Sequence, residues 1–410
     1  MTSSSRTTPR RPTTLRPGTT AHRARILAAV VLCSAITACG GGSEAPAAPL
    51  DLDPGNYPTT PRDLEAERTP ATGSLQESIR LAEHVPLMMD LNSRLVFADV
   101  SNTPHFTEQH PPMSSGIGNV ENFGEQIPGL VAGWRTGASR RVDTFLGLDA
   151  TLDVLRFTTP QQAEHARNLL SATSHEKYPP TEQLDLPGHP GSLTFVSTYD
   201  AVQSWTTHGE YLMRTYVSDG LATPPDHIPL LEFTRTILDE QVRRLGSYQP
   251  TPADRLSEVP ADIDGLLGRT LPYPEPDSYD NPTGVYPARV FLHLDSRPDL
   301  TARAFEDAGV DLVARGDSLV FRAADAAAAE RLLGALAGQH TDMDRTDAPA
   351  GTPPGTRCVQ EPAGTAESPR TYRLTRCHLT YDRYVGAVAA YQPQDLSQRI
   401  AAQYLLLAHE

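Results

Sequence analysis

Apolar and polar positions fall into clear periodic patterns in two stretches of the chain. Between 150 and 245 they predict a strand at 152–157, a helix at 160–172, strands at 193–198 and 210–217, and a helix at 229–245. The helices follow from apolar residues that recur every three or four positions, and Pro160 and Pro229 suit a first helical turn. In the second of them Leu231, Thr234, Leu238, Val242 and Leu245 share one face. A similar order returns later, with strands at 290–294 and 318–321, a helix at 324–337, strands at 372–379 and 384–390, and a closing helix from 395 to about 408. Leu396, Ile400, Tyr404 and Leu407 form one stripe of that last helix and read as core. Phe157 precedes Leu169 and Leu170 much as Phe321 precedes Leu332 and Leu333, and each stretch ends with a strand that feeds an amphipathic helix. The expectation is an α+β fold of two related halves, each a mostly antiparallel sheet packed with amphipathic helices.

The remaining segments set the boundaries. A helix is expected at 74–85, opened by a capping box of Ser74 and Glu77, with Leu75, Ile79, Ala82 and Val85 at helical spacing. The segment 97–137 is rich in Gly, Pro, Ser, Asn and His and predicts irregular surface structure. The Pro-rich stretch 251–287 reads as a linker between an N-terminal domain at 56–250 and a C-terminal domain at 288–410.

Upstream of these, Arg23 and Arg25 precede the apolar run 26–33, which passes through small residues to Cys39. The run is far short of the roughly 20 apolar residues of a membrane-spanning helix, so residues 1–38 read as a cleaved signal peptide. Ile36, Thr37, Ala38 and Cys39 have the form of a bacterial lipobox, in which the Cys39 thiol accepts the lipid. Arg10 and Arg11 raise twin-arginine export, but they stand far from the apolar run. Residues 39–55 then form a flexible tether of Gly, Ala, Pro and Asp. The expected location is the outer face of the cytoplasmic membrane, with the membrane as partner through the lipid anchor.

Composition narrows the partners. The net charge is -15, and the six arginines before Cys39 are accompanied by no acid, so cleavage leaves the mature chain more acidic still. That balance disfavours nucleic acid and anionic lipid surfaces, which depend on clustered Lys and Arg. With Cys33 in the signal and Cys39 acylated, Cys358 and Cys377 remain, and in an oxidising compartment they read as a disulfide. A metal pair would need further ligands, and His378, next to Cys377, would point to the opposite face of a strand.

Three strings, 52–63 (LDPGNYPTTPRD), 269–274 (RTLPYP) and 381–407 (YDRYVGAVAAYQPQDLSQRIAAQYLLL), together with the lipobox, resemble an uncharacterised family of lipoproteins from mycolic-acid-bearing actinobacteria. The resemblance runs from Cys39 to the C-terminus. It implies an envelope location and a two-part α+β architecture, and it brings no activity or catalytic residues.

Candidate chemistry is sparse. Gly316, Asp317, Ser318 and Leu319 spell the GDSL motif of an esterase family, but the serine opens a strand and no DxxH follows it to supply acid and base, so a turn into a strand is the expected role. No GxSxG, HExxH or P-loop string occurs. His105, Glu108 and His110 are close enough to suggest a metal but sit in a proline-flanked loop that fixes no common face. Trp134 and Trp205 suit buried packing better than a sugar or lipid platform. No catalytic residue, cofactor or metal is therefore expected. The leading expectation is a non-catalytic envelope lipoprotein that binds an envelope lipid, glycan or protein, with the cleft between the halves as its site. The alternative is a hydrolase whose active site is scattered beyond recognition.

Overall fold

The computed structural model describes residues 50–100, 104–112, 117, 120–142, 146–274, 283–364 and 372–409. Residues 1–49, which include Cys39 and most of the expected tether, lie outside the described residues, as do residues 365–371.

The first half contains α1 (Pro70–Ala82), α2 (Met88–Leu91), β1 (Phe97–Ala98), β2 (His105–Phe106), α3 (Phe123–Gln126), β3 (Leu130–Ser139), β4 (Leu148–Phe157), α4 (Pro160–Lys177), β5 (Glu182–Leu184), β6 (Leu193–Val196), β7 (Val202–His208), β8 (Tyr211–Asp219) and α5 (His227–Leu245). Its strands form one antiparallel sheet in the order β1-β3-β4-β8-β7-β6-β5, with β2 also paired to β3. The second half contains β9 (Gly284–Pro287), α6 (Ala288–Phe291), α7 (Pro298–Ala308), β10 (Leu312–Arg315), β11 (Leu319–Arg322), α8 (Ala326–Gln339), β12 (Asp344–Thr346), β13 (Arg357–Gln360), β14 (Thr375–Tyr381), β15 (Tyr384–Ala390) and α9 (Pro393–Ala408). Its sheet is also antiparallel, in the order β12-β13-β14-β15-β11-β10-β9.

The two orders contain the same unit. In the first half two strands lead to a helix, four strands and a closing helix, and the fourth of these strands returns beside β4, giving β3-β4-β8-β7-β6-β5. In the second half the path β10, β11, α8, β12 to β15 and α9 gives β10-β11-β15-β14-β13-β12. The echo of Phe157 and Leu170 in Phe321 and Leu333 marks equivalent strands and helices: both phenylalanines and both leucines are buried.

Each sheet is covered on both faces. In the first, α4 packs Ala163, Ala166 and Leu170 against Leu155, Phe195, Trp205 and Leu212. In the second, α9 packs Leu396, Ile400 and Leu406 against Cys377, Leu379 and Val388. The remaining faces meet in one continuous core in which Ile79, Trp134, Ile237 and Leu238 join Tyr286, Phe305, Phe321 and Leu332.

Several expectations are corrected. The 74–85 helix begins earlier, at Pro70: Thr69 is the N-cap and forms the capping box with Thr72, while Ser74 and Glu77 are buried and spend their hydrogen bonds on Val131, Tyr248 and Arg156. A TPAT string caps as well as SLQE does, and Pro70 decides the first turn. The segment read as irregular contains β3, all ten of whose residues are buried. Its pattern is obscured by Gly133 and Arg135; a Cβ on Gly133 would stand 2.9 Å from the Val154 carbonyl and 3.1 Å from Phe106, so glycine lets β2 lie close on the sheet. The strand expected at 290–294 is instead helical, α6 followed by a 3-10 turn at Leu292–Leu294. Val290, Phe291, Leu292 and His293 are all buried, and a short run buried on every side carries no period that separates strand from helix. The stretch 251–287 also does more than connect the halves, since Leu256, Val259, Leu267, Leu271 and Tyr286 are core residues and β9 belongs to the second sheet.

Candidate binding site at the seam of the two halves

The site is assembled by a strap, a helix and a turn. Residues 50–63 run back over the second half: the Tyr57 hydroxyl donates to Asp395 at 2.5 Å, the Arg399 guanidinium lies 5.2 Å from the Tyr57 ring centre, and the Arg62 amide donates to the Gly268 carbonyl at 3.2 Å. A Cβ on Gly268 would meet the Arg62 carbonyl at 2.4 Å, so the approach requires glycine. The turn that presents Gly268 is held by one carboxylate, because Asp262 accepts from the amides of Ile263, Leu267 and Gly268 at 2.7, 2.8 and 2.8 Å. Arg269 then donates to the carbonyls of Leu406, Leu407 and His409 and satisfies the last turn of α9. The strings 52–63 and 269–274 that carried the family resemblance therefore both rest on the third, 381–407.

Between strap, α1 and β2 these contacts leave a cavity of about 290 Å³. Leu64, Leu75, Ala261 and Leu267 supply apolar walls, and Arg62, Glu67, Gln76, His105 and His110 are among the polar ones. Leu75 and Gln76 stand one turn beyond Ala71 and Thr72 on the same face of α1, which is why one helix lines the whole side. His105 is 3% exposed and its Nδ1 has no hydrogen-bond partner; burial, then His110 and Arg315, pushes its imidazole down to about 3 and keeps it neutral. Arg62 likewise leaves its Nε buried without a partner. A neutral imidazole and a guanidinium edge lining a partly apolar cavity are ready to hydrogen-bond a ligand group.

The other candidate residues have structural places. His105 and His110 approach edge to face, 6.0 Å between ring centres, but Glu108 is exposed. Among the described residues no group of three His, Cys, Asp or Glu side chains is disposed to hold a metal. Ser318 is 3% exposed, accepts from the Leu271 amide at 2.8 Å and donates to the Gln403 carbonyl oxygen, so the GDSL string is a turn pinned under α9. Asp317 pairs with Arg399 at 2.8 Å. Trp134 and Trp205 are both fully buried, Trp134 edge to face with His293 and Trp205 under Arg214. Cys358 and Cys377 stand directly opposite on β13 and β14 and form a disulfide on the α9 face. His378 points to the other face, beside His340. Among the described residues no helix is long and apolar enough to cross a membrane.

Sequence reading named the cleft between the halves but missed the residues that build it. Their signals were a cluster of turn-formers at 52–63 and the single carboxylate Asp262, whose role depends on the later residues Leu267 and Gly268.

The fold defines a duplicated α+β protein with two antiparallel sheets. The family models match in the same two parts: the domain of unknown function DUF7373, N-terminal, covers residues 64–261, and its C-terminal counterpart covers residues 266–410. The chain belongs to the DUF7373 family. None of the curated proteins matches it.

Proposed function

We propose that this protein is an envelope lipoprotein, anchored through Cys39 on the outer face of the cytoplasmic membrane, that binds a small ligand in the seam cavity without transforming it. The observation that carries the reading is His105, buried and neutral with an unpartnered nitrogen, lining a cavity that sets Leu64, Leu75, Ala261 and Leu267 beside polar side chains. An unmade hydrogen bond of this kind costs about 1–3 kcal/mol, and a ligand that satisfies it recovers that cost. Cavities at domain junctions are preferred ligand sites, and one of about 290 Å³ falls at the lower end of the usual range. The neutral imidazole and Arg62 favour a ligand with at least one acceptor oxygen and an apolar part.

The test is mass spectrometry of small molecules retained by the acylated protein purified from its envelope, compared with a Leu75→Trp variant that fills the cavity. One ligand retained in stoichiometric amount by the native protein and lost from the variant supports binding. Turnover of ester, peptide or glycosidic substrates that disappears in His105→Gln would overturn the non-catalytic reading.

A further inference from the structure

A second cavity, of about 460 Å³, opens on the α8 face of the second sheet. The duplication explains why it is there. On β8 the positions that face α4 include Leu212 and Arg214, both buried. On the equivalent strand β15 the positions that face α8 are Val385, Ala387 and Ala389, and the pairing of Ala387 with Leu319, like that of Leu212 with Leu155, sets the two alanines at the places of Leu212 and Arg214. Two alanines thus stand on the strand where the first half carries a leucine and an arginine, and the cavity lies between them and the end of α8, whose C-cap His340 reaches the sheet at His378, 5.8 Å between ring centres.

The chemistry around this floor is cationic. Arg315, Leu319, Ala387 and His378 lie in one row across β10, β11, β15 and β14, and Arg376 is two residues from His378 on the same face. Three strand spacings put Arg315 and His378 about 14 Å apart at the backbone, so their side chains bracket a space of small-molecule size. Neither the Arg315 nor the Arg376 side chain makes a hydrogen bond or ion pair among the described residues. His378 is 5% exposed and its Nδ1 has no partner.

The other charged groups on the rim are already engaged. Arg297 is bidentate with Asp299, Asp317 is paired with Arg399, and Asp295 accepts from the Arg297 amide and the Thr301 hydroxyl. The C-terminal end of α8 contributes an opposing partial charge of about one half. Two uncommitted guanidinium groups outweigh that dipole and Asp295 together. Deeper in the cavity the wall is Phe291, Leu294, Phe321 and Leu336.

We propose that this groove binds a small organic anion, with its carboxylate or phosphate head held by Arg315, Arg376 and His378 and a short apolar body against Phe291, Leu294 and Phe321. On a chain of net charge -15 such a patch is selective, because anions are repelled elsewhere on the surface. Guanidinium forks match carboxylate and phosphate oxygens, and a neutral imidazole adds one directed hydrogen bond.

Titration calorimetry of the purified full chain with hexyl phosphate, hexanoate, hexanol and inorganic phosphate tests the assignment. One-to-one binding is expected for hexyl phosphate or hexanoate, weakening as salt is raised. Arg315→Gln and Arg376→Gln should each weaken it at least about tenfold. Ala387→Leu, which fills the floor without changing charge, should abolish it. Leu75→Trp, which fills the seam cavity, removes any binding of these probes there and should leave groove binding unchanged, so each titration is also run in that background and failure here is separable from failure of the seam reading. Thermal unfolding of each variant confirms that it is folded. The proposal is overturned if neither organic anion binds, if hexanol or inorganic phosphate binds as tightly as hexyl phosphate, or if binding survives the double arginine substitution.

Discussion

Glu77 and Arg156, 79 residues apart, meet at 3.1 Å with the carboxylate fully buried. The same carboxylate accepts from the Thr251 amide at 2.8 Å, from Arg80 at 2.6 Å and from the Tyr248 hydroxyl. This one side chain joins α1 to the first sheet and to the end of α5. Glu77→Ala should therefore cost about 3–5 kcal/mol, because it leaves Arg156 buried with fewer partners. Urea unfolding of the two proteins reads the difference, and a loss below about 1 kcal/mol would contradict the structural role.

Ser318→Ala should destabilise by about 1–3 kcal/mol, since it strands the buried Leu271 amide and the Gln403 side chain. No hydrolytic activity should change with it. An esterase activity lost in this variant, with stability intact, would restore the serine as a nucleophile.

Reduction of the Cys358–Cys377 bridge, which spans 19 positions, should lower stability by about 3 kcal/mol. The check is the unfolding midpoint with and without reductant, alongside a Cys358→Ala, Cys377→Ala double variant. Two free thiols in the exported protein, found by mass spectrometry, would remove the bridge from the account.

Acid should destabilise the fold more than its carboxylates alone require. Burial holds His105, His293 and His378 down to about 3, whereas an unfolded histidine titrates near 6.5. Between these values the unfolded chain binds protons that the folded chain refuses, so stability falls as pH drops below about 6.5. Asp149, pushed up to about 7 by burial and Asp99, works in the opposite sense. Each buried histidine contributes up to about 1.4 kcal/mol per pH unit between those values, and Asp262 and Asp317, also raised by burial, oppose it as Asp149 does. Unfolding midpoints from pH 7 to 4 test the sign, and His293→Gln should flatten the slope.

Cys39→Ala should shift the protein from the membrane fraction to the soluble or secreted fraction. Detergent-dependent membrane retention of that variant would contradict lipid anchoring.

The duplicated plan was legible wherever one face of an element is buried and the other exposed. The strand at Tyr384–Ala390 and the helices starting at Pro160 and Pro393 agree with their patterns to within a few residues. Elements buried on both sides were not legible: β3 hides behind Gly133, and α6 passes for a strand. The Cys358–Cys377 pairing could be read from counting cysteines, without knowledge of the fold. Neither cavity could, since each depends on what is small or unpaired in three dimensions. Ala387 and Ala389 look like ordinary strand residues until β15 is set beside β8.

The strap clamped by Tyr57, Asp395 and Arg399 also fixes a load path. Tension applied at residue 50 meets the first turn of α9, through Tyr57, before it reaches α1 or the first sheet. Arg62 and Leu64, just beyond the clamp, are walls of the seam cavity. A pull strong enough to slip Tyr57 would therefore be felt next at two walls of that cavity.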